Sequence, residues 1–246
     1  MVSLHSHLAE IGAVRPIRFA ATRKRPGSWL ATLMILGGAL LAARAAETNS
    51  LIAAWLGAQT NVHAWSADFV QTRTLKSLTQ PLTATGRVWF AEPNRFHWEI
   101  LQPQRTIAIR SGDEMWVVYP KLKRAERYPL NQAGQWRDAL SLLEAGFPRS
   151  QADLEAQFRI VNQTTTNNVC DVTLQPKSAA ARRLMPQVRI AFSTRDFLLR
   201  ATELQWADGS TMRNDFTNAV LNPTVDASLF RPAVESDFKI VEPLKH

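Results

Sequence analysis

His97 and Glu99 are the residues of this chain best placed by type and spacing to do chemistry. An imidazole and a carboxylate two positions apart on a strand share one face, where they could act as acid and base. Phe96, Trp98 and Ile100 alternate with Arg95, His97 and Glu99 through this segment. The pair therefore falls on the polar face, which is expected to meet water. A catalytic pair needs a pocket, so a solvated strand pair is the favoured reading. Outside the N-terminal leader the histidines are His63, His97 and His246, too dispersed to suggest a metal centre. No G-x-S-x-G elbow, H-E-x-x-H helix or P-loop occurs. Cys170, the only cysteine, lies in the strand-like run Val169–Leu174 and reads as a buried thiol. A single cysteine excludes an intramolecular disulfide, so apolar burial has to hold the fold.

The elements that would position these residues are mostly strands. Thr48–Gln59 reads as a helix with Leu51, Ile52, Trp55 and Leu56 on one face. Strands follow from Trp65, over Leu82–Phe90 and Phe96–Leu101, then as a hairpin over Thr106–Arg110 and Met115–Tyr119, and over Ala125–Tyr128. Trp136, Leu140 and Leu143 have helical spacing, and Asp153–Phe158 adds a helical turn. Strand patterning returns at Phe158–Val161, Val169–Leu174 and Val188–Phe192, with the basic stretch Ala179–Arg183 read as a loop. Phe197–Trp206 and Thr211–Val220 form a last hairpin about Asp208-Gly209. Short hairpin intervals point to one meandering antiparallel sheet, not to βαβ units.

Residues 1–45 are set aside before any fold reasoning. The cluster Arg23-Lys24-Arg25, the uncharged run Trp29–Ala43 and the small residues of Ala43-Arg44-Ala45 read as a secretory signal peptide cleaved near Ala45. An uncleaved anchor is the alternative. The expected mature chain is one exported domain, residues 46–246. The formal charge of +8 falls to +3 without the leader, which holds Arg15, Arg18, Arg23, Lys24, Arg25 and Arg44 against Glu10. The remaining Lys and Arg are scattered among acids and form no basic stripe, so nucleic acid is not an expected partner.

Seven tryptophans from Trp55 to Trp206 remain, with Phe69, Phe90, Phe96, Phe192 and Phe216. They would suit a sheet core or the wall of an acyl-chain cavity, and composition does not separate the two. The ordered series Phe69-Val70-Gln71, Leu82, Gly86–Phe90, Pro93–Trp98, Gln102-Pro103, Ser111–Asp113, Met115-Trp116 and Tyr119-Pro120 carries a resemblance, and so do Leu229-Phe230, Pro232 and Phe238–Val241. The chain resembles the LolA-type outer-membrane lipoprotein carriers. The resemblance implies a mainly β fold, an unclosed antiparallel half-barrel of about eleven strands covered by a helical lid. It implies a monomeric, cofactor-free periplasmic chaperone, not an enzyme. Such a carrier binds acylated lipoproteins, takes them from an inner-membrane exporter and hands them to an outer-membrane acceptor.

Joined to the strand alternation, the resemblance makes Phe69, Val88, Phe90, Phe96, Trp98, Ile100, Val188, Ile190 and Phe192 the expected cavity wall. Trp136, Leu140 and Leu143 are the expected lid. The family's carriers have an Arg just before the Pro-Asn that opens the aromatic strand, and it helps latch the lid. This chain has Glu92 there, so the latch is expected to be absent or rebuilt as Glu92–Arg137. A periplasmic carrier of another lipid, such as a fatty acid or glycolipid, and a non-catalytic sensor or partner-binding module of the same fold are the alternatives.

Overall fold

The computed structural model describes residues 51–130 and 150–243. The expected leader and the expected lid residues Trp136, Arg137, Leu140 and Leu143 lie outside them. The described residues hold one twelve-stranded sheet. In chain order the strands are β1 (Ala64–Thr74), β2 (Leu82–Ala91), β3 (Arg95–Gln102), β4 (Thr106–Ser111), β5 (Glu114–Tyr119), β6 (Arg124–Pro129), β7 (Phe158–Thr166), β8 (Val169–Pro176), β9 (Gln187–Ser193), β10 (Leu199–Gln205), β11 (Thr211–Leu221) and β12 (Lys239–Val241). They lie in the order β12-β6-β5-β4-β3-β2-β1-β11-β10-β9-β8-β7. The sheet is unclosed, and every pairing is antiparallel except β12 with β6. Besides that parallel contact, the order departs from the expected meander in pairing β1 with β11 and in setting β6 and β7 in opposite halves of the sheet. β12 reaches β6 at the end of a long return segment, not through a hairpin.

Ala179–Leu184 is a helix, not the expected loop. Ser178 accepts a hydrogen bond from the Ala181 amide, and three successive alanines follow the cap. Capping and alanine propensity outweigh the charge of Arg182 and Arg183, and Ala181 is buried beneath. The other described helices are 51–59 and Gln151–Gln157. Ile52, Trp55, Leu56 and Leu154 from these two helices join one hydrophobic core with Val172, Leu174, Val188, Ile190 and Phe192 of β8 and β9. The Trp55 ring stacks on Phe192 with centroids 4.8 Å apart and planes 6° from parallel.

The core face of the sheet carries Trp98, and the back face carries His97. Across β1, β11, β10, β9 and β8 the helices seal the core face. The back face there is charged, with Arg87 on Asp68 at 2.7 Å, Arg213 on Asp215 at 2.8 Å and Arg189 near Glu203 at 3.4 Å. Across β3–β6 the arrangement is reversed. Ile109, Val118 and Ala125 are 2%, 2% and 0% exposed on the back face, while the core-face side chains Trp98, Val117 and Glu126 are half-buried. Across β3–β6 the sheet thus carries a second buried layer on its back face, while its core face is half-buried.

The cover on the back of β3–β6 is the C-terminal segment, a strap over 222–241. Asn222 anchors its start, accepting from the amides of His63 (2.8 Å) and Ala64 (3.2 Å). Asp226 caps the short 3-10 turn Ala227–Phe230 by accepting from Ser228 N at 2.8 Å. Phe230 is 3% exposed, with the Arg95 guanidinium 5.1 Å from its ring centroid. Lys239 N donates to Lys123 O at 2.8 Å, and a Lys123–Asp237 ion pair closes the far end.

Candidate functional site

Strand registers assign the nine expected wall residues to one face. Val88 faces Trp98, Phe90 faces Phe96 and Gly86 faces Ile100 between β2 and β3. Phe69 sits opposite Gly86 on one side and Phe216 on the other. Ile190 pairs with Thr202, which pairs with Asn214 two residues before Phe216, so β9 presents Val188, Ile190 and Phe192 to the same side. Gly86 makes the tight part of this surface possible. A Cβ there would lie 2.0 Å from the Glu99 carbonyl oxygen and 2.6 Å from Phe69 Cζ. The missing side chain lets the Phe69 ring lie across β2 and meet Trp98, at 4.2 Å between centroids.

Burial divides the nine. Phe69, Val88, Val188, Ile190 and Phe192 are sealed under protein. Val188, Ile190 and Phe192 serve in this arrangement as core beneath helix 51–59. Phe90, Phe96, Trp98 and Ile100 are half-buried and extend the core face from β2 onto β3. Ala108 and Val117 continue this surface opposite Trp98, a continuation the sequence reading left out. The signal was present in Thr106–Ile109 and Val117-Val118, where apolar residues occupy both phases of a strand.

The His97–Glu99 face is not the solvated surface expected. His97 is 7% exposed, and its Nδ1 donates to Leu229 O of the strap at 2.6 Å. The Trp89 ring stands edge-on to it at 5.2 Å. Nε2 lies 3.7 Å from Glu99 Oε2, and Glu99 Oε1 accepts from Arg105 Nε at 2.7 Å. Period two placed these side chains on the correct face, but the strap covers that face. The imidazole is engaged in fastening the strap, which gives it a structural role. Cys170 is fully buried, and burial raises its thiol pKa.

Glu92, expected near a latch, accepts from His63 Nδ1 at 2.8 Å, while the neighbouring backbone joins Glu92 N to His63 O at 2.9 Å. Arg137 lies outside the described residues. At β6 the core face becomes polar. Tyr128 Oη donates to Glu126 Oε2 at 2.7 Å, and Arg124 Nη2 is 2.6 Å from Glu126 Oε1. Burial first, then the Glu126 carboxylate, pushes the phenols of Tyr119 and Tyr128 above their usual pKa, so both stay protonated near neutrality.

Residues 60–233 match the family model described as outer membrane lipoprotein carrier protein LolA. The outer-membrane lipoprotein carrier protein of Dechloromonas aromatica is 26% identical over 171 residues, 70% of this chain and 77% of the relative. That of Chromohalobacter salexigens is 28% identical over 173 residues, 69% of this chain and 76% of the relative. Among solved structures, an uncharacterized conserved protein from Thermus thermophilus gives a TM-score of 0.47 at 12% identity, covering 76% of this chain and 96% of that one. The family match runs from the end of helix 51–59 through β11 and includes the 3-10 turn of the strap. The chain belongs to the LolA family of outer membrane lipoprotein carrier proteins.

Proposed function

We propose that this chain is a periplasmic carrier that binds the acyl chains of lipoproteins on the core face of β2–β5. In this reading it receives them from an inner-membrane exporter and yields them to an outer-membrane acceptor, without a chemical step. The observation that carries the proposal is the half-buried wall of Phe90, Phe96, Trp98 and Ile100 beside a sealed core. It is the aromatic part of the core face that is half-buried among the described residues. Membership of a lipoprotein-carrier family supports acylated cargo.

The energetics suit a carrier. A dozen buried methylenes contribute about 10 kcal/mol at about 0.8 kcal/mol each. Association opposes this by roughly 4–15 kcal/mol. One acyl chain is then held weakly and two or three are held firmly, which favours multiply acylated cargo that can still be released. The test is native mass spectrometry of the mature protein purified from its own periplasm, followed by extraction and analysis of the bound lipid. Acylated polypeptide or acyl lipid in stoichiometric amount is the expected result. Empty protein that also fails to bind a fluorescent acyl probe would refute the reading.

A further inference from the structure

The core face holds a polar ladder that an apolar wall does not require. Gln71 of β1 and Asn214 of β11 face each other one row beyond Phe69 and Phe216, and each is 3% exposed. Gln71 Nε2 donates to Asn214 Oδ1 at 2.9 Å, and Asn214 Nδ2 donates to Thr202 Oγ1 of β10 at 3.2 Å. Buried amides are costly unless their hydrogen bonds are made. Gln71 Oε1 accepts from Arg73 Nε at 2.9 Å. The ladder therefore ends on a guanidinium and fixes one edge of it.

Arg73 is exposed and lies in the next row, between Leu82 of β2 and Met212 of β11. Leu82 is half-exposed, and Met212 packs against the core. The rows from Phe69 to Arg73 carry no carboxylate on β1, β2, β10 or β11, and Arg73 forms no ion pair among the described residues. The neighbouring cation Lys76 differs, since it interacts with Asp208. With Nε engaged, the Nη groups of Arg73 remain to donate, a geometry suited to carboxylate or phosphate oxygens.

The same face leads from Arg73 to the aromatic wall. Beyond Leu82 its positions on β2 are Ala84 and Gly86, and Gly86 faces Ile100, beside Trp98 on the same face of β3. Ala84 adds only a methyl group to this path. From Leu82 to Val88, which faces Trp98, the strand covers about 20 Å. That is the length scale of an extended long acyl chain. A chain with its tail on Trp98 and Phe96 brings its head to Arg73.

We infer that Arg73, held by Gln71 and flanked by Leu82 and Met212, binds the carboxylate or phosphate head of an acyl lipid whose chain runs along β2 toward Trp98. The inference rests on the carrier reading above and adds a head chemistry to it. Gln71 is a positioning residue, and Arg73 makes the contact.

The experiment displaces an uncharged fluorescent acyl ester from the mature protein with palmitate, a lysophosphatidic acid and a monoacylglycerol, all of one chain length. The unsubstituted protein should bind at least one of the anions about fivefold more tightly than the monoacylglycerol, the scale of one exposed ion pair. Tighter palmitate identifies a carboxylate head, and tighter lysophosphatidic acid a phosphate head. R73M keeps the apolar stem and removes the charge. It should abolish the preference by weakening the anions, with the monoacylglycerol within about twofold of its original affinity. R73K keeps the charge without the bond from Nε to Gln71 and should retain less than half of the preference. The preference should also shrink at high salt. Equal affinity for the three lipids in the unsubstituted protein, or an unchanged preference in R73M that still binds the ester, would overturn the head site and leave acyl binding intact. Equal loss of all three lipids in R73M would make Arg73 a packing residue and overturn it as well. An ester that does not bind the unsubstituted protein would overturn the carrier reading, and the head site with it.

Discussion

Replacing Phe192 and Trp98 separately by alanine distinguishes the sealed half of the core face from the accessible half. Phe192 is 0% exposed and stacks on Trp55 at 4.8 Å. Removing a fully buried phenyl ring leaves a cavity and costs about 3–5 kcal/mol. That is a large part of a domain stability of about 5–15 kcal/mol. Trp98 is half-buried and has Phe69 and Phe216 as ring partners among the described residues, at 4.2 and 6.2 Å. Its removal should cost about 2 kcal/mol of stability, below the value for complete burial. The order reverses for ligand. Losing the indole should cost an acyl chain the burial of about two methylenes, about 1.6 kcal/mol or 15-fold in affinity. Guanidinium denaturation gives the stabilities, and probe titration at 25 °C gives the affinities. Phe192→Ala should shift the denaturation midpoint strongly and leave probe affinity within about threefold, because that ring meets protein only. A folded Phe192→Ala protein that loses as much affinity as Trp98→Ala would refute the division.

Gly86→Ala drives a Cβ to 2.0 Å from the Glu99 carbonyl oxygen, a backbone atom that cannot swing aside. It should destabilise the protein by about 3 kcal/mol, read from the denaturation midpoint, and an unchanged midpoint would contradict the close packing of β2 on β3. Phe230→Ala should loosen the strap and raise hydrogen exchange in β4 and β5 while leaving exchange in β8 and β9 unchanged. Uniform exchange changes would contradict two separately covered faces. The carboxyls of Asp68 and Glu114 lie below their usual pKa, chiefly through hydrogen bonds from Asn218 and Arg127 respectively. A depressed folded-state pKa stabilises the protein above the unfolded value, and that stabilisation is lost as pH falls through the folded one. The urea midpoint should therefore fall below about pH 4, and a midpoint that rises there would contradict the pairing.

The sheet was legible in the sequence because period two survives through β1–β6 and β8–β11 with turn residues between. Leu82–Phe90 and Met115–Tyr119 were bounded within a residue of β2 and β5. The back-face core was not read, since alternation in Arg95–Ile100 says which side chains share a face, not what covers that face. His97 is a polar residue buried by a segment 132 positions away, and only tertiary contact reveals it. The strap itself has little periodicity, and its Leu229-Phe230 pair stood out through family resemblance alone. Ala179–Leu184 was missed because a run of small and basic residues on the surface says little until Ser178 is recognised as a cap. The strand registers set the nine named residues on one face, but sequence does not distinguish Phe192 from Phe96. Both are apolar, and only the position of helix 51–59 makes one of them core.

The most direct test of the central claim is photo-crosslinking with a fatty acid that carries a diazirine along its chain, with the adducts mapped by mass spectrometry. The claim is that β3–β6 have a separately covered back face, and that the acyl chain takes the half-buried core face of β2–β5. Adducts on Phe90, Phe96, Trp98, Ile100 and Met115, competed by unlabelled acyl lipid, are the predicted result. Competable adducts confined to back-face residues such as Ile109 and Val118, or to the side chains beneath helix 51–59, would contradict it.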